Sequence, residues 1–299
     1  MKKISYFMLL LLLSVSAAAQ SNIFVIYSMK GDISVVENKV ETKAKIGKIL
    51  NGDAMIKLAP GSFATLLCNE TRLFSLNKTG NYTTGKLADS CKVNNSSFSA
   101  TYLKYIWNEF TKPKGSPEKN RKAYMANVGA VSRSINNVWI DPKLDTVYYV
   151  SGTIPLSWKS YTDAEEFEFK LFDAVNLASP VFTKTIKKKH IDISDLLKNI
   201  QTGKTYYWTA MIKGEDNEER KLLRYWTKDE YTHFYSGIKK VNGASEGDAE
   251  TNFRLGFLLE EAHFLADAYN HYLKATQLAP DNPLYRFTFM SFKKDYEIK

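Results

Sequence analysis

The chain has 299 residues, of which 44% are hydrophobic and 13% aromatic, and its formal net charge is +9. That apolar and aromatic content excludes a disordered chain, and the length suits two or three modules rather than a single core.

Residues 1–20 read as an export signal. Lys2 and Lys3 form a positive region, Ile4 to Val15 an apolar one, and Ala17-Ala18-Ala19 the small residues of a cleavage site. The run is short for a membrane span, and no later apolar run reaches the roughly 18 residues a span needs. The expectation is an exported, soluble protein with no integral membrane span after cleavage. Without Lys2 and Lys3 the charge falls to +7, a basic excess that suits anionic surfaces or partners rather than nucleic acid.

Residues 21–97 read as short strands with turn chemistry between them. Ile23 to Tyr27 and Ile33 to Val36 are separated by Gly31, Asn51-Gly52 is a hairpin signal, and Pro60-Gly61 fits a type II turn. Ala54 to Leu58 and Phe63 to Cys68 suit half-buried strands, so a small antiparallel β roll is expected. Cys68 and Cys91 are the only cysteines. They either pair in an oxidising compartment, contributing about 3 kcal/mol by loop entropy, or Cys68 is a core thiol. Gly31-Asp32-Ile33-Ser34-Val35, Gly47, Leu50, Gly52-Asp53 and Ser62 to Leu66 together resemble the FecR-like domain of bacterial envelope proteins. The resemblance implies a bacterial envelope or periplasmic location. A signal peptide stands here in place of the cytoplasmic part and membrane span of the iron-citrate sensors.

Residues 98–145 form a connector. Tyr102, Tyr105, Ile106 and Phe110 lie at helical spacing before Pro113 and Gly115, and residues 104–133 carry seven basic against two acidic side chains. The stretch is either a solvated linker or a contact for an anionic glycan, peptidoglycan or acidic partner.

Residues 146–227 return to short strands, suggesting a sandwich. Ile154 to Trp158 and Gly203 to Trp208 resemble the B and F strands of a fibronectin type III-like domain. The resemblance places Trp158 between the sheets and Tyr206 on the F strand. Tyr207 or Trp208, if exposed, would instead offer a sugar-stacking platform. Lys187-Lys188-Lys189 blunts a sheet edge.

Residues 228–299 take the helical period. Thr227 to Glu230 is a capping box, and Tyr231, Phe234, Tyr235, Ile238 and Val241 make one apolar face. Leu255-Gly256, Leu259, Ala268, Tyr272, Ala275 and Pro280 fall at the offsets of a tetratricopeptide-like repeat, with Asn252 where an aromatic is usual. Gly256 and Ala268 then let the two helices approach closely. A last helix starts at Asn282-Pro283 and runs through Phe287 and Met290, making four helices in a compact cap. A single repeat cannot bury its own stacking faces.

Signs of enzyme chemistry are weak. Gly243-Ala244-Ser245-Glu246-Gly247 matches an esterase elbow in letters but lies between helices, where helix-start chemistry explains it. Glu260 and His263 lack a second motif, His263 and His271 point apart by helical geometry, and Glu165, Glu166 and Glu168 read as a strand rim. The reading is therefore a non-enzymatic envelope protein without cofactor or metal. It would dock another envelope protein through Leu255, Leu259, Tyr269 and Tyr272. The alternative is glycan or peptidoglycan binding through the sandwich aromatics and the basic connector.

Overall fold

The computed structural model describes residues 23–91, 100–111, 137–240 and 246–298, in two compact units, Met1–Asn95 and Ser96–Lys299. The export signal, most of the basic connector, Val241 and Ser245 lie outside the described residues.

The first unit is two four-stranded antiparallel sheets sharing one core. Its strands are β1 (Phe24–Lys30), β2 (Ile33–Glu37), β3 (Val40–Lys43), β4 (Ile49–Leu50), β5 (Met55–Leu58), β6 (Phe63–Cys68), β7 (Arg72–Leu76) and β8 (Gly80–Thr83). The sheet orders are β4-β1-β6-β7 and β3-β2-β5-β8. Phe24, Ile26, Leu50, Leu66 and Leu76 from one sheet meet Ile33, Val35, Ile56 and Leu58 from the other. Asn51-Gly52 is not a hairpin turn, because β4 and β5 belong to different sheets and the segment crosses between them. Pro60-Gly61 does form the tight turn, with Gly61 at φ 75° and Ser62 N–H donating to the Ala59 carbonyl at 3.1 Å. The hairpin that composition did not advertise joins β2 to β3 through Asn38 and Lys39, at φ 50° and 67°. Gly31 is required by a close approach: at φ 90° a Cβ there would collide with the Ser62 hydroxyl, which accepts from Asp32 N–H at 2.8 Å. Cys68 belongs to the core and also forms a disulfide with Cys91.

The second unit joins a β-sandwich to five helices. A five-stranded sheet runs in the order β10 (Thr146–Tyr149), β17 (Lys221–Tyr225), β16 (Thr205–Ile212), β13 (Phe167–Asp173), β14 (Phe182–Ile186). Only β10 and β17 are parallel. Two short antiparallel pairs complete the strands, β11 (Pro155–Ser157) with β15 (His190–Asp192) and β9 (Val138–Trp139) with β12 (Lys159–Ser160). Trp158, between β11 and β12, packs on Phe167 and Phe169, and Phe169 stacks on Trp208 at 5.8 Å. Tyr206 accepts a hydrogen bond from Gln201 N–H at 2.8 Å, tying the start of β16 to the turn before it. β14 forms an exposed edge, and its Lys184 together with Lys187 and Lys188 leaves that edge charged.

The helices are α2 (Ala100–Thr111), α3 (Lys228–Lys239), α4 (Asp248–Glu261), α5 (Leu265–Leu278) and α6 (Pro283–Asp295); α1 is a single turn, Thr84–Leu87, in the first unit. The Thr227–Glu230 capping box starts α3, and the Asn282 side chain accepts from Leu284 N–H at 3.0 Å to start α6. At the α4–α5 crossing, a Cβ on Gly256 would come within 2.8 Å of the Tyr272 ring, so glycine is what allows this approach. α2 is not a free connector. Tyr105 stacks on Phe257 of α4 at 5.1 Å and its hydroxyl bonds Thr288 of α6 at 2.7 Å, making five packed helices rather than four.

Sandwich and helices meet at the α4–α5 turn. His263 sits there at φ 65°, while Phe264 N–H donates to Leu259 and His263 N–H to Glu260, a Schellman ending without glycine. The carbonyl of His263 accepts from Tyr148 N–H of β10 at 3.0 Å. Phe264 then packs against Tyr148, Trp226, Tyr231 and Phe234, with ring centroids 5.0–5.4 Å apart. No helix among the described residues is long and apolar enough to cross a membrane.

Candidate docking surface

The four side chains expected to meet a partner are mostly spent inside the molecule. Leu255, Leu259 and Tyr272 are buried, because α5, α6 and α2 close over the face of α4 that carries the first two and over the crossing that Tyr272 fills. Tyr272 also donates to the carboxylate of Glu260 at 2.9 Å. Tyr269 is half-buried against Phe289 and Phe292 of α6. The structure therefore corrects the choice of surface: the repeat covers its stacking faces with the chain's own flanking helices.

Large apolar side chains stand exposed on the last two helices, as others do on strands and loops at Val40, Tyr161, Val175 and Val181. Leu278 of α5 is 43% exposed, and Phe287 and Met290 of α6 are 44% and 60% exposed. The last helix starts at Asn282-Pro283 and runs through Phe287 and Met290 as its sequence predicts, and other positions form its buried face. The inward positions are Leu284, Tyr285, Thr288, Ser291 and Phe292. Three of these carry a hydroxyl, and that of Thr288 is satisfied by Tyr105, a partner that only folding supplies. The signal available in sequence was that α6 is apolar on two faces.

This ridge is basic at its flanks. Arg286 lies 5.9 Å from the centroid of the Phe287 ring, and Lys293 and Lys294 follow in the last turn. The one carboxylate of α6, Asp295, turns inward to an ion pair with Lys143 at 2.8 Å, where both side chains are nearly buried.

The remaining candidates separate. Glu260 accepts from Tyr272 and Tyr296 while His263 faces Tyr148, so the two do not converge on a cation position. His271 lies between the Tyr235 hydroxyl at 3.2 Å and Asn252 Oδ1 at 2.9 Å, and the latter accepts from Nδ1–H. Burial lowers the pKa of His271, and that of His263 against a small opposing pull from Asp145. Glu166 and Glu168 are paired with Lys213 and Lys170, as a strand rim would be. Among the described residues no group of three His, Cys, Asp or Glu could hold a metal ion. Trp208 is fully buried and packed on Phe169, so it cannot serve as a sugar platform; Tyr207 is half-exposed. No protein-family model matches the chain, and no curated protein is significantly similar to it.

Proposed function

We propose that the chain is an exported, non-enzymatic docking protein of a bacterial envelope, and that the α5–α6 ridge of Leu278, Phe287 and Met290 contacts its protein partner. One observation carries the reading: Phe287 and Met290 stand exposed one turn apart on α6, with Arg286, Lys293 and Lys294 on the same helix. Burial of the ridge would supply affinity, and Arg286 with the terminal lysines orientation and on-rate.

Several features support the finer module assignments. The parallel β10–β17 pairing, the tryptophan between the layers and the Tyr206 bond to the turn before its strand suit a fibronectin-like sandwich. Gly256 under Tyr272, with Ala268 and Ala275 buried, suits a tetratricopeptide-like hairpin. The two-sheet first unit keeps the FecR-like resemblance open to test.

A photo-crosslinking residue placed at Phe287 or Met290 of the full chain, in the producing cell, provides the test. A discrete adduct is expected from both positions and not from Lys239, an exposed position on α3. Equal adducts from all three, or none, would sink the docking reading.

A further inference from the structure

The outer face of the five-stranded sheet holds a cleft of about 520 Å³ that the docking ridge does not involve. β16 turns Trp208 and Ala210 into the core, so Thr209 and Met211 face outward beside Lys170 and Phe172 of β13. Two loops wall this floor, residues 174–181 with Ala178 and Pro180, and residues 213–220 with Asp216 and Glu218. The volume lies in the range of small-ligand sites, roughly 300–1,000 Å³.

The cleft is built rather than incidental. Asn217 is buried, donates to the Ala210 carbonyl at 2.8 Å and accepts from Glu219 N–H at 2.9 Å, which pins the acidic loop to β16. Arg220 spans the two walls: its guanidinium lies 4.2 Å from the Phe172 ring and donates to the Leu177 carbonyl at 3.1 Å. At the floor, Thr209 is 1% exposed and its hydroxyl has no hydrogen-bond partner among the described residues. A buried hydroxyl in that state costs free energy until something bonds it.

The two cations that line the cleft are each engaged, and the two carboxylates are not. Lys170 is paired with Glu168 at 2.6 Å, and Arg220 is engaged with the ring and the carbonyl. Asp216 and Glu218 are exposed, and among the described residues neither carboxylate has an ion-pair or hydrogen-bond partner. An apolar floor, a buried hydroxyl and two uncompensated carboxylates complement an apolar stem ending in a protonated nitrogen.

We propose that this cleft binds an alkylammonium or alkylguanidinium group, its stem against Phe172, Met211 and Pro180 and its head toward Thr209, Asp216 and Glu218. The group could belong to a lysine or arginine side chain of a polypeptide or to a free small amine. The test is a titration of the full, ¹⁵N-labelled chain with Nα-acetyl-lysine methylamide, its norleucine counterpart, free cadaverine and cellobiose. The lysine derivative is expected to move amide resonances of residues 209–220 and to bind at least roughly tenfold more tightly than the norleucine one, the factor that 1.4 kcal/mol represents. Asp216→Asn with Glu218→Gln, both on an exposed loop, should remove that preference, and Thr209→Val should weaken binding while keeping side-chain shape. Tighter binding of the blocked lysine derivative than of cadaverine assigns a polypeptide source, and the reverse order a small amine. Equal binding of the norleucine derivative, indifference to these substitutions, unmoved resonances at 209–220, or displacement of the lysine derivative by cellobiose would each overturn the proposal.

Discussion

Two histidines on the α4–α5 hairpin behave alike for one physical reason. His263 and His271 are each taken from water, which disfavours the imidazolium, so each folded-state pKa falls below the ordinary 6.5. The folded chain then binds fewer protons than the unfolded one. The stability these rings contribute is fully present above the unfolded pKa and is lost as pH falls through the folded value. Asp267, Glu246 and Glu261 act in the opposite sense: burial raises their pKa, so their contribution is present at low pH and lost as pH rises through the folded value. A His271→Gln variant isolates the first effect. Its urea midpoint should fall less than the wild-type midpoint between pH 7 and pH 5.5, and parallel curves would show that His271 does not titrate as its burial demands. None of this was visible in sequence, where His271 was one residue in an apolar helical pattern and its partners Tyr235 and Asn252 lay on two other helices.

At the scale of elements, local rules located helix starts and left the buried face of the last helix open. The Thr227–Glu230 box and the Asn282-Pro283 start are local chemistry, complete within four residues, and both stand as read. The phase of α6 was not local. It depended on Tyr105, far away in sequence, offering its hydroxyl to Thr288. That same contact takes α2 out of the connector and into the helical cluster. Tyr105→Phe should therefore cost about 1–3 kcal/mol, because the Thr288 hydroxyl stays buried without that partner. The measurement is the shift of the chemical unfolding midpoint, together with faster amide exchange across Ala100–Thr111. A loss below about 0.5 kcal/mol, the low end for a net hydrogen bond, would mean the contact does not anchor the helix.

Across the second unit, the sandwich and helices share the Tyr148–His263 backbone hydrogen bond, an aromatic cluster around Phe264 and the Lys143–Asp295 ion pair. They are expected to unfold together. Lys143→Ala removes the cation from a carboxylate whose side chain is only 3% exposed, at a cost of about 3 kcal/mol. Helix dichroism and tryptophan fluorescence should shift by the same amount, since four of the five tryptophans, Trp139, Trp158, Trp208 and Trp226, report on the strands and the sandwich–helix seam, Trp107 on α2, and dichroism on the helices. Separated transitions would show that the seam is not cooperative.

Sequence by itself determined the elements whose causes are short-range. These are the strand-rich first unit, the glycine turn after Pro60, the sandwich with Trp158 in its core, the helix caps, and the close crossing at Gly256. Each follows from backbone sterics, alternation or a cap completed within a few residues. Only tertiary structure decided which apolar faces remained free. Leu255, Leu259 and Tyr272 have the same local pattern as a docking face, and burial by flanking helices removed them from consideration. Phe287 and Met290 are large apolar residues of a helix, yet the assembled chain leaves both exposed while Thr288 of the same helix is buried. The unpartnered Thr209 hydroxyl between two loops likewise exists only once strands distant in sequence lie side by side. Apolarity is a property of the residue, whereas exposure belongs to the assembled chain.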